Sequence, residues 1–193
     1  MRSHLFIASI LVAMQSFTLR TATLEDAPGI QSLIEASVRG LQTEDYSEAQ
    51  REGALATLFS VDLQLIGDET YFVATAEDGE LAGCGGWSYT KPSFEEEHPV
   101  KKFGVQLPEV KLTAAKIRSI FVHPKFARNR VGSLILKAAE DAAKTEGFRR
   151  LEMASTLTGV ALFGLRGYRK TDRINVPVGR RERFAIVHML KEL

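Results

Sequence analysis

The residues best suited to chemistry lie between a predicted strand and a predicted helix, and they are suited to binding an anion. They are Arg128, Asn129, Arg130 and Gly132. The β-branched and aromatic run Ile117 to Val122 predicts the strand, and Pro124 ends it because proline cannot donate to a sheet ladder. The first turn of a helix leaves backbone N–H groups unpaired, so two cationic side chains beside it form a site suited to phosphate. The alternative is a solvated loop in an ordinary βα unit.

The helix that positions this loop is predicted by the spacing of its apolar residues. They recur three or four positions apart, which places them on one helical face against a core. These residues are Val131, Leu134, Ile135, Ala138, Ala139, Ala142 and Ala143. Gly147 supplies the stop signal at the carboxyl end of the helix.

The composition fits one globular domain without a general attraction for polyanions or lipid. The chain has 193 residues, of which 45% are hydrophobic and 25% are charged, and its formal net charge is +1. This balance predicts neither a nucleic-acid partner nor a membrane partner, so any anion binding has to be local. The one cysteine, Cys84, excludes an intrachain disulfide, and its apolar, glycine-rich surroundings predict a buried structural thiol.

No metal site is predicted, although one segment carries candidate ligands. His98 follows the acidic run Glu95 to Glu97, but no partner cluster with ligand spacing occurs elsewhere in the chain. The surrounding stretch, residues 90–112, is long and irregular, which is typical of a functional lid or of a disordered loop. We therefore interpret His98 and its neighbours as part of a solvated acidic loop.

Residues 1–16 form an extension outside the predicted domain. Leu5 to Met14 is a continuous apolar run that fits the core of a signal peptide and has about half the length of a membrane-spanning helix. The run Phe17 to Arg20 already predicts the first strand, which leaves no room for a spacer. We expect Met14 to be the natural start and residues 17–193 to form the domain, with a signal peptide as the alternative.

The elements on either side of the βα unit predict a mixed sheet. Before the unit come a strand at 17–20, two helices, and a hairpin of strands at 71–76 and 81–89. After it come a strand at 150–155, a short helix at 158–165, and two strands at 168–172 and 184–190. The fold class that follows is α/β (α+β): a single three-layer domain with a central mixed, mostly antiparallel sheet.

Local signals within these elements indicate where the chain turns or packs closely. The pair Asp78-Gly79 predicts a tight hairpin turn, and Ser47 predicts the start of the second helix. Gly83, Gly85 and Gly86 weaken the strand that contains them, so they indicate packing or bulge positions, with close approach of a ligand as the other reading.

Three segments of the second half of the chain carry a family resemblance. They are Ile117-Arg-Ser-Ile-Phe-Val-His-Pro124 with the loop Ala127-Arg-Asn-Arg-Val-Gly132, then Gly147-Phe-Arg-Arg-Leu-Glu152, then Leu162-Phe-Gly-Leu-Arg-Gly-Tyr168. In this order they resemble successive elements of the GCN5-related N-acetyltransferase (GNAT) superfamily. The family's loop reads Q/R-x-x-G-x-G/A. This chain has Ala127 where the family has Gln or Arg, and Arg130 where the family has its first Gly. Arg128 supplies a basic residue one position after Ala127. The resemblance extends over residues 17–193 and implies the GNAT fold.

The resemblance implies that acetyl-CoA is the co-substrate. Its pyrophosphate is expected on the backbone N–H groups of the loop, and its pantetheine arm along the strand that ends at Val122. The implied cofactor-binding residues are Ile120, Phe121, Val122, Arg128, Asn129, Arg130, Val131, Gly132 and Ser133. Because export would separate such an enzyme from its cofactor, the expected location is cytoplasmic.

The resemblance also implies direct transfer of an acetyl group to an amine, with a backbone N–H of the 117–122 strand stabilising the oxyanion. The family often has a glutamate base on this strand, which contains no acid here, so His123 is the nearest titratable candidate. A His-Pro pair at a strand end is, however, typical of a structural role. The position of the family's tyrosine acid holds Phe163. Tyr168, five residues later, is the other catalytic candidate, although its place at the start of a strand indicates packing. The catalytic residues are therefore not identified.

Two functions from different classes remain open at this stage. One is an acetyl-CoA-dependent N-acetyltransferase whose small-molecule or peptide amine acceptor the sequence does not identify. The other is a non-catalytic acyl-CoA-binding or sensing module on the same fold. A nucleotide-binding βα protein is a more remote third, because the chain lacks a G-x-x-x-x-G-K-[ST] loop and a dinucleotide glycine pattern. No feature indicates the oligomeric state.

Overall fold

The elements follow the predicted order, with one helix more than the sequence led us to expect. The computed structural model describes residues 16–89 and 114–193. Its strands are β1 (Thr18–Thr21), β2 (Tyr71–Thr75), β3 (Leu81–Ser88), β4 (Ala115–Val122), β5 (Arg150–Thr156), β6 (Arg169–Val178) and β7 (Glu182–Glu192). Its helices are α1 (Ala27–Leu41), α2 (Glu48–Thr57), α3 (Leu63–Gly67), α4 (Val131–Thr145) and α5 (Val160–Leu165), with 3₁₀ turns at Leu24–Asp26 and Pro124–Phe126.

The described strands form one sheet in the order β1-β2-β3-β4-β5-β7-β6. Neighbouring strands are antiparallel except β4 and β5, which are parallel. The successive β2 residues Val73 and Ala74 belong to different cores, one packed under α1 and the other under α4, so helices cover both faces. The predicted fold class is therefore confirmed: a single α/β domain with a central mixed, mostly antiparallel sheet.

Helix α4 has the predicted extent, with a small difference in the face it buries. Val131, Ile135, Ala139 and Ala143 are buried at the expected spacing. Leu134 was expected in this set and is 36% exposed, while the buried set takes in Leu136 instead. The difference is a rotation of the buried stripe toward Leu136, which packs in the core under β4 and β5.

Helix α3 is the element that the sequence analysis missed. It has only five residues, too few for a recognisable apolar period, and it starts where the Asp62 side chain accepts a hydrogen bond from the N–H of Leu65 at 3.2 Å. The last two strands are also longer than predicted. Pro177 lies inside β6 because β6 is the edge of the described sheet, where a missing N–H on the outer side interrupts no ladder.

Strands β4 and β5 separate after a short paired segment. Only Ala115 to Ile117 pair with β5, although β4 continues to Val122 and β5 to Thr156. A gap therefore opens in the middle of the sheet, between the carboxyl-terminal halves of two parallel strands.

A β-bulge lies in β4 at this gap. Cys84 of β3 is opposite Phe121 and Gly86 is opposite Arg118, so two β4 residues, Ser119 and Ile120, face Gly85 alone. A Cβ atom on Gly85 would lie 2.4 Å from Cδ1 of Ile120, which explains the glycine. The prediction that the glycines of β3 occupy packing or bulge positions is confirmed.

Several predictions concern residues outside the described ranges. They are those about the N-terminal apolar run with Met14 and about the loop that contains His98, and they stay predictions. Within residues 16–89 and 114–193, none of the helices has the length and apolar character needed to cross a bilayer.

Candidate functional site

The gap between β4 and β5 opens into a cavity of about 690 Å³. Its walls include residues 116–122 of β4 and most of β5. On the α1 face it is bordered by Gln42 and Phe59, and on the α4 face by Phe163 of α5. The cavity thus connects the two faces of the sheet, so that two molecules could approach each other from opposite sides.

The β4 bulge orients one peptide group toward this gap. The carbonyl oxygen of Ser119 lies 3.9 Å from the Cys84 Sγ, which donates to it from the β3 side. The described chain has no cis peptide bonds, so the N–H of Ile120 points opposite to that carbonyl, away from β3 and toward the gap. Ser119 adopts a φ of 55°, a left-handed conformation that redirects this peptide group.

Two buried side chains support the bulge from behind. The Tyr71 hydroxyl donates to the Cys84 Sγ at 3.4 Å, and both residues are fully buried. Burial raises the pKa of the Cys84 thiol to about 12 and raises the pKa of Tyr71 well above its ordinary value. Both groups are therefore protonated donors near neutral pH, and the prediction that Cys84 is a buried structural thiol is confirmed.

The predicted phosphate loop has the geometry of an open helix start. Helix α4 begins at Val131, and its ladder begins where the N–H of Leu134 donates to the carbonyl of Arg130 at 3.0 Å. The N–H groups just before Leu134 therefore precede the ladder. Arg128 and Arg130 both have a φ of 65°, the left-handed conformation that glycine adopts without steric cost.

The loop lies against the end of β4. A Cβ atom on Gly132 would lie 3.3 Å from Cγ2 of Val122 and 3.1 Å from Cδ2 of Leu162, so a larger residue would push these elements apart. The guanidinium groups of Arg128 and Arg130 are exposed, and neither has a hydrogen bond or ion pair with any described residue. Of the predicted cofactor residues, Ile120, Phe121 and Val122 line the cavity, and those from Arg128 to Ser133 lie outside its lining.

The two catalytic candidates named from the sequence do not line the cavity. His123 accepts a hydrogen bond at Nδ1 from the N–H of Lys125, at 3.2 Å, and so begins the 3₁₀ turn after β4. Tyr168 is 3% exposed, and burial together with the nearby Glu140 carboxylate raises its pKa. Phe163 does line the cavity, at the position where the family resemblance implies a tyrosine.

Two carboxylates and one imidazole that sequence reasoning did not select line the cavity: Glu152 of β5, Asp172 of β6 and His188 of β7. His188 is opposite Ala154 on one side and Asp172 on the other, and its imidazole has no hydrogen bond to any described residue. Glu152 lies 3.3 Å from Nε of Arg150. The available signal was that His188 interrupts an apolar strand face.

The charge on the cavity wall nearest the bulge is held in an ion pair. Arg118 of β4 contacts the Asp62 carboxylate at 3.1 Å, and both side chains are largely buried. Asp62 is also the residue that caps α3, so this pair fixes the unpredicted helix against the cavity wall. Among the described residues, no group of three or more histidine, cysteine, aspartate or glutamate side chains could hold a metal ion.

The sequence model of the Acetyltransferase (GNAT) family matches residues 36–168, which span the gap, the bulge and the loop. The chain therefore belongs to the GNAT family of acetyltransferases. A comparison with curated protein sequences finds no match.

Several solved structures of acetyltransferases share the fold of this chain. A GCN5-related N-acetyltransferase from Rhodopseudomonas palustris is 24% identical, with a TM-score of 0.69, covering 93% of this chain and 98% of that one. The PaiA N-acetyltransferase of Thermoplasma acidophilum, in complex with coenzyme A, is 16% identical, with a TM-score of 0.63 and coverage of 92% and 99%. An N-acetylglutamate synthase from Neisseria gonorrhoeae, complexed with coenzyme A and N-acetylglutamate, is 20% identical, with a TM-score of 0.57 and coverage of 92% and 35%.

Proposed function

We propose that this protein is an acetyl-CoA-dependent N-acetyltransferase that acetylates an amine. The observation that carries the proposal is the bulge in β4, which directs the N–H of Ile120 into the gap between two parallel strands. Family membership supports the same reaction, and coenzyme A is bound in two proteins of the same fold.

The loop and the end of β4 are the proposed cofactor site. The open N–H groups at the start of α4 and the unpaired guanidinium groups of Arg128 and Arg130 suit a pyrophosphate. Residues 120–122 then lie along the pantetheine arm, which brings the thioester to the bulge. These residue assignments rest on the family resemblance together with the position of the loop beside Val122.

The residues of the gap can perform the transfer in two stages. As the acceptor nitrogen bonds to the acetyl carbon, the N–H of Ile120 stabilises the negative charge on the carbonyl oxygen. His188, Glu152 and Asp172 can accept the proton that the amine must lose. The carbon–sulfur bond then breaks, and the departing thiolate takes a proton from water or from the substrate, because Phe163 has none to donate.

A non-catalytic acyl-CoA-binding module is the second candidate, and Phe163 is the observation that favours it. A missing general acid usually lowers a rate by about 10²–10⁴-fold without abolishing it. Turnover therefore separates the two candidates better than binding does, since both bind the cofactor.

The deciding experiment measures thiol release from acetyl-CoA with a panel of small amines, amino acids and peptides, using the wild type and Phe163→Tyr. Release that depends on an amine supports the transferase, and a gain for Phe163→Tyr with unchanged cofactor affinity supports the lost-acid account. If calorimetry detects coenzyme A binding but neither protein releases thiol, the result supports the non-catalytic binding module.

The protein is proposed to work in the cytoplasm, where its cofactor is made and used.

A further inference from the structure

Strand β6 and the hairpin that joins it to β7 carry a concentrated positive charge. The cationic residues are Arg169, Lys170, Arg173, Arg180, Arg181 and Arg183, which we call the basic edge. Asp172 and Glu182 are the acids in the same stretch, so its net charge is +4 in a chain whose total is +1. The rest of the chain therefore carries −3, so this edge is more basic than the chain as a whole.

The side chains of the basic edge have no partners within the described part of the protein. All six are exposed, and none forms a side-chain hydrogen bond or an ion pair there. Other arginines of the same domain are paired, as Arg20 is with Asp26 and Arg39 is with Glu35 and Glu52. The basic edge is thus a surface whose charge is not neutralised by residues 16–89 and 114–193.

The position of the basic edge connects it to the cavity. Strand β6 is the last of the described sheet, so its outer backbone N–H and C=O groups face no neighbouring strand. Thr171 and Asp172, near the start of β6, line the cavity that contains His188. A chain lying along β6 would therefore lead into this cavity.

Charged residues on an edge strand can serve merely to prevent one sheet from pairing with another. Lysine is the residue most used for that purpose, yet five of the six cations here are arginine. Arginine binds carboxylates with two parallel hydrogen bonds and is enriched at protein interfaces, where lysine is depleted. The predominance of arginine favours a surface that binds carboxylates over one that only repels.

We propose that the basic edge docks an extended, acidic polypeptide segment, which adds to β6 as a further strand. Backbone hydrogen bonds would supply affinity, and the arginines would select a chain rich in Asp and Glu. A strand rises about 3.3 Å per residue, so a segment of about eight residues would cover β6 from Arg169 to Val176, because Pro177 has no N–H to offer an added strand. That an amine of this segment is the acetyl acceptor rests on the proposed function.

The test uses a ten-residue peptide of alternating Glu and Thr with a free amino terminus and a fluorophore at its carboxyl end. Anisotropy titration at low salt would measure its affinity for the wild type, for Arg169→Glu/Arg173→Glu, and for the matched control Lys144→Glu/Arg149→Glu, which makes the same charge change on another surface. We expect a loss of about tenfold for the first variant and little change for the control. If the reversal variant does not fold, Arg169→Gln/Arg173→Gln removes the two charges without reversing them.

Docking is contradicted if the wild type does not bind the peptide, if both variants weaken binding equally, or if a DNA duplex of similar charge binds more tightly. The last result would indicate a nucleic-acid surface instead. Thiol release with the same peptide then tests the acceptor role separately. Binding without release would remove that role, whereas release with small amines but no peptide binding would leave the transferase proposal intact and overturn the docking surface.

Discussion

His188 is the ionisable group on the cavity wall whose side chain is most available for proton transfer. Glu152 lies beside Arg150, and Asp172 accepts a hydrogen bond from the N–H of Arg173 at 2.7 Å, whereas the His188 imidazole has no hydrogen bond to a described residue. Ala154, directly opposite His188, leaves room beside the ring.

We expect His188→Gln to lower kcat/KM for the acceptor by about 10²-fold, because an amide cannot accept the amine proton. The affinity for coenzyme A, measured by calorimetry, should stay as in the wild type. His123→Gln, which makes the same change outside the cavity lining, is the matched control. Equal activity of His188→Gln and wild type would transfer the proposed role to Glu152 or Asp172.

At the phosphate loop, charge and backbone conformation can be tested separately. Arg128→Glu/Arg130→Glu should weaken coenzyme A binding by at least about tenfold, since each change turns an attraction for phosphate into a repulsion. Arg128→Gly/Arg130→Gly, which keeps the left-handed conformation accessible, should weaken it much less. Calorimetry with coenzyme A measures both, and unchanged affinity in the glutamate variant would remove the loop from the cofactor site.

At the scale of elements, the β4 bulge depends on a contact with β3 behind it. The Tyr71 hydroxyl and the Cys84 thiol both lie on the buried side and hold the Ser119 peptide group in one orientation. The strand therefore presents its N–H to the gap only as long as these two side chains stay in place.

Tyr71→Phe is expected to lower kcat by about tenfold while leaving the KM for acetyl-CoA nearly unchanged, because a loosened bulge misdirects a donor needed in the transition state. Thr75→Val removes a hydroxyl from the same strand away from the bulge and should change neither constant. A parallel rise in KM, or a loss of activity explained by unfolding, would show a purely structural role.

The start of α1 is fastened to β1 by the pair Arg20–Asp26, in which both carboxylate oxygens accept hydrogen bonds at 2.7 Å. The hydrogen bond from Arg20 lowers the pKa of Asp26 to about 2. A lowered folded-state pKa stabilises the fold above the unfolded-state value, and this stabilisation is lost as the pH falls toward 2.

Asp26→Asn should therefore cost about 1 kcal/mol of unfolding free energy at neutral pH, a value reduced for the exposure of Arg20, and almost nothing near pH 2. Denaturant unfolding across this range measures the difference. Asp141→Asn, in a fully solvated pair with Lys137, is the control and should have little effect at any pH. A cost for Asp26→Asn that does not change with pH would assign the effect to capping rather than to charge.

At the scale of the whole molecule, the sheet begins at Thr18, and residue Phe17 already packs on Phe126 with ring centroids 5.8 Å apart. The domain we propose, residues 17–193, is therefore packed on its own core from its first residue. Expression from Met14 should give a protein with the same melting temperature as the full chain. A fall of several degrees would mean that the preceding apolar run contributes to the core.

The sequence by itself determined what depends on neighbours along the chain. The period of α4, the hairpin turn at Gly79 and the helix start beside Arg128 and Arg130 follow from local spacing and conformational preference. The family resemblance in residues 117–168 identified the reaction class for the same reason, since its motifs are contiguous segments.

Only the tertiary structure decided where the chemistry converges. Glu152, Asp172 and His188 meet on one wall because β7 lies between β5 and β6, an order that no local pattern specifies. The bulge needs the register of β3 against β4, and the gap needs β5 to leave β4 after Met153. Strand order and register are set by contacts between residues distant in sequence, and a shift of one residue would turn every side chain of a strand to the other face.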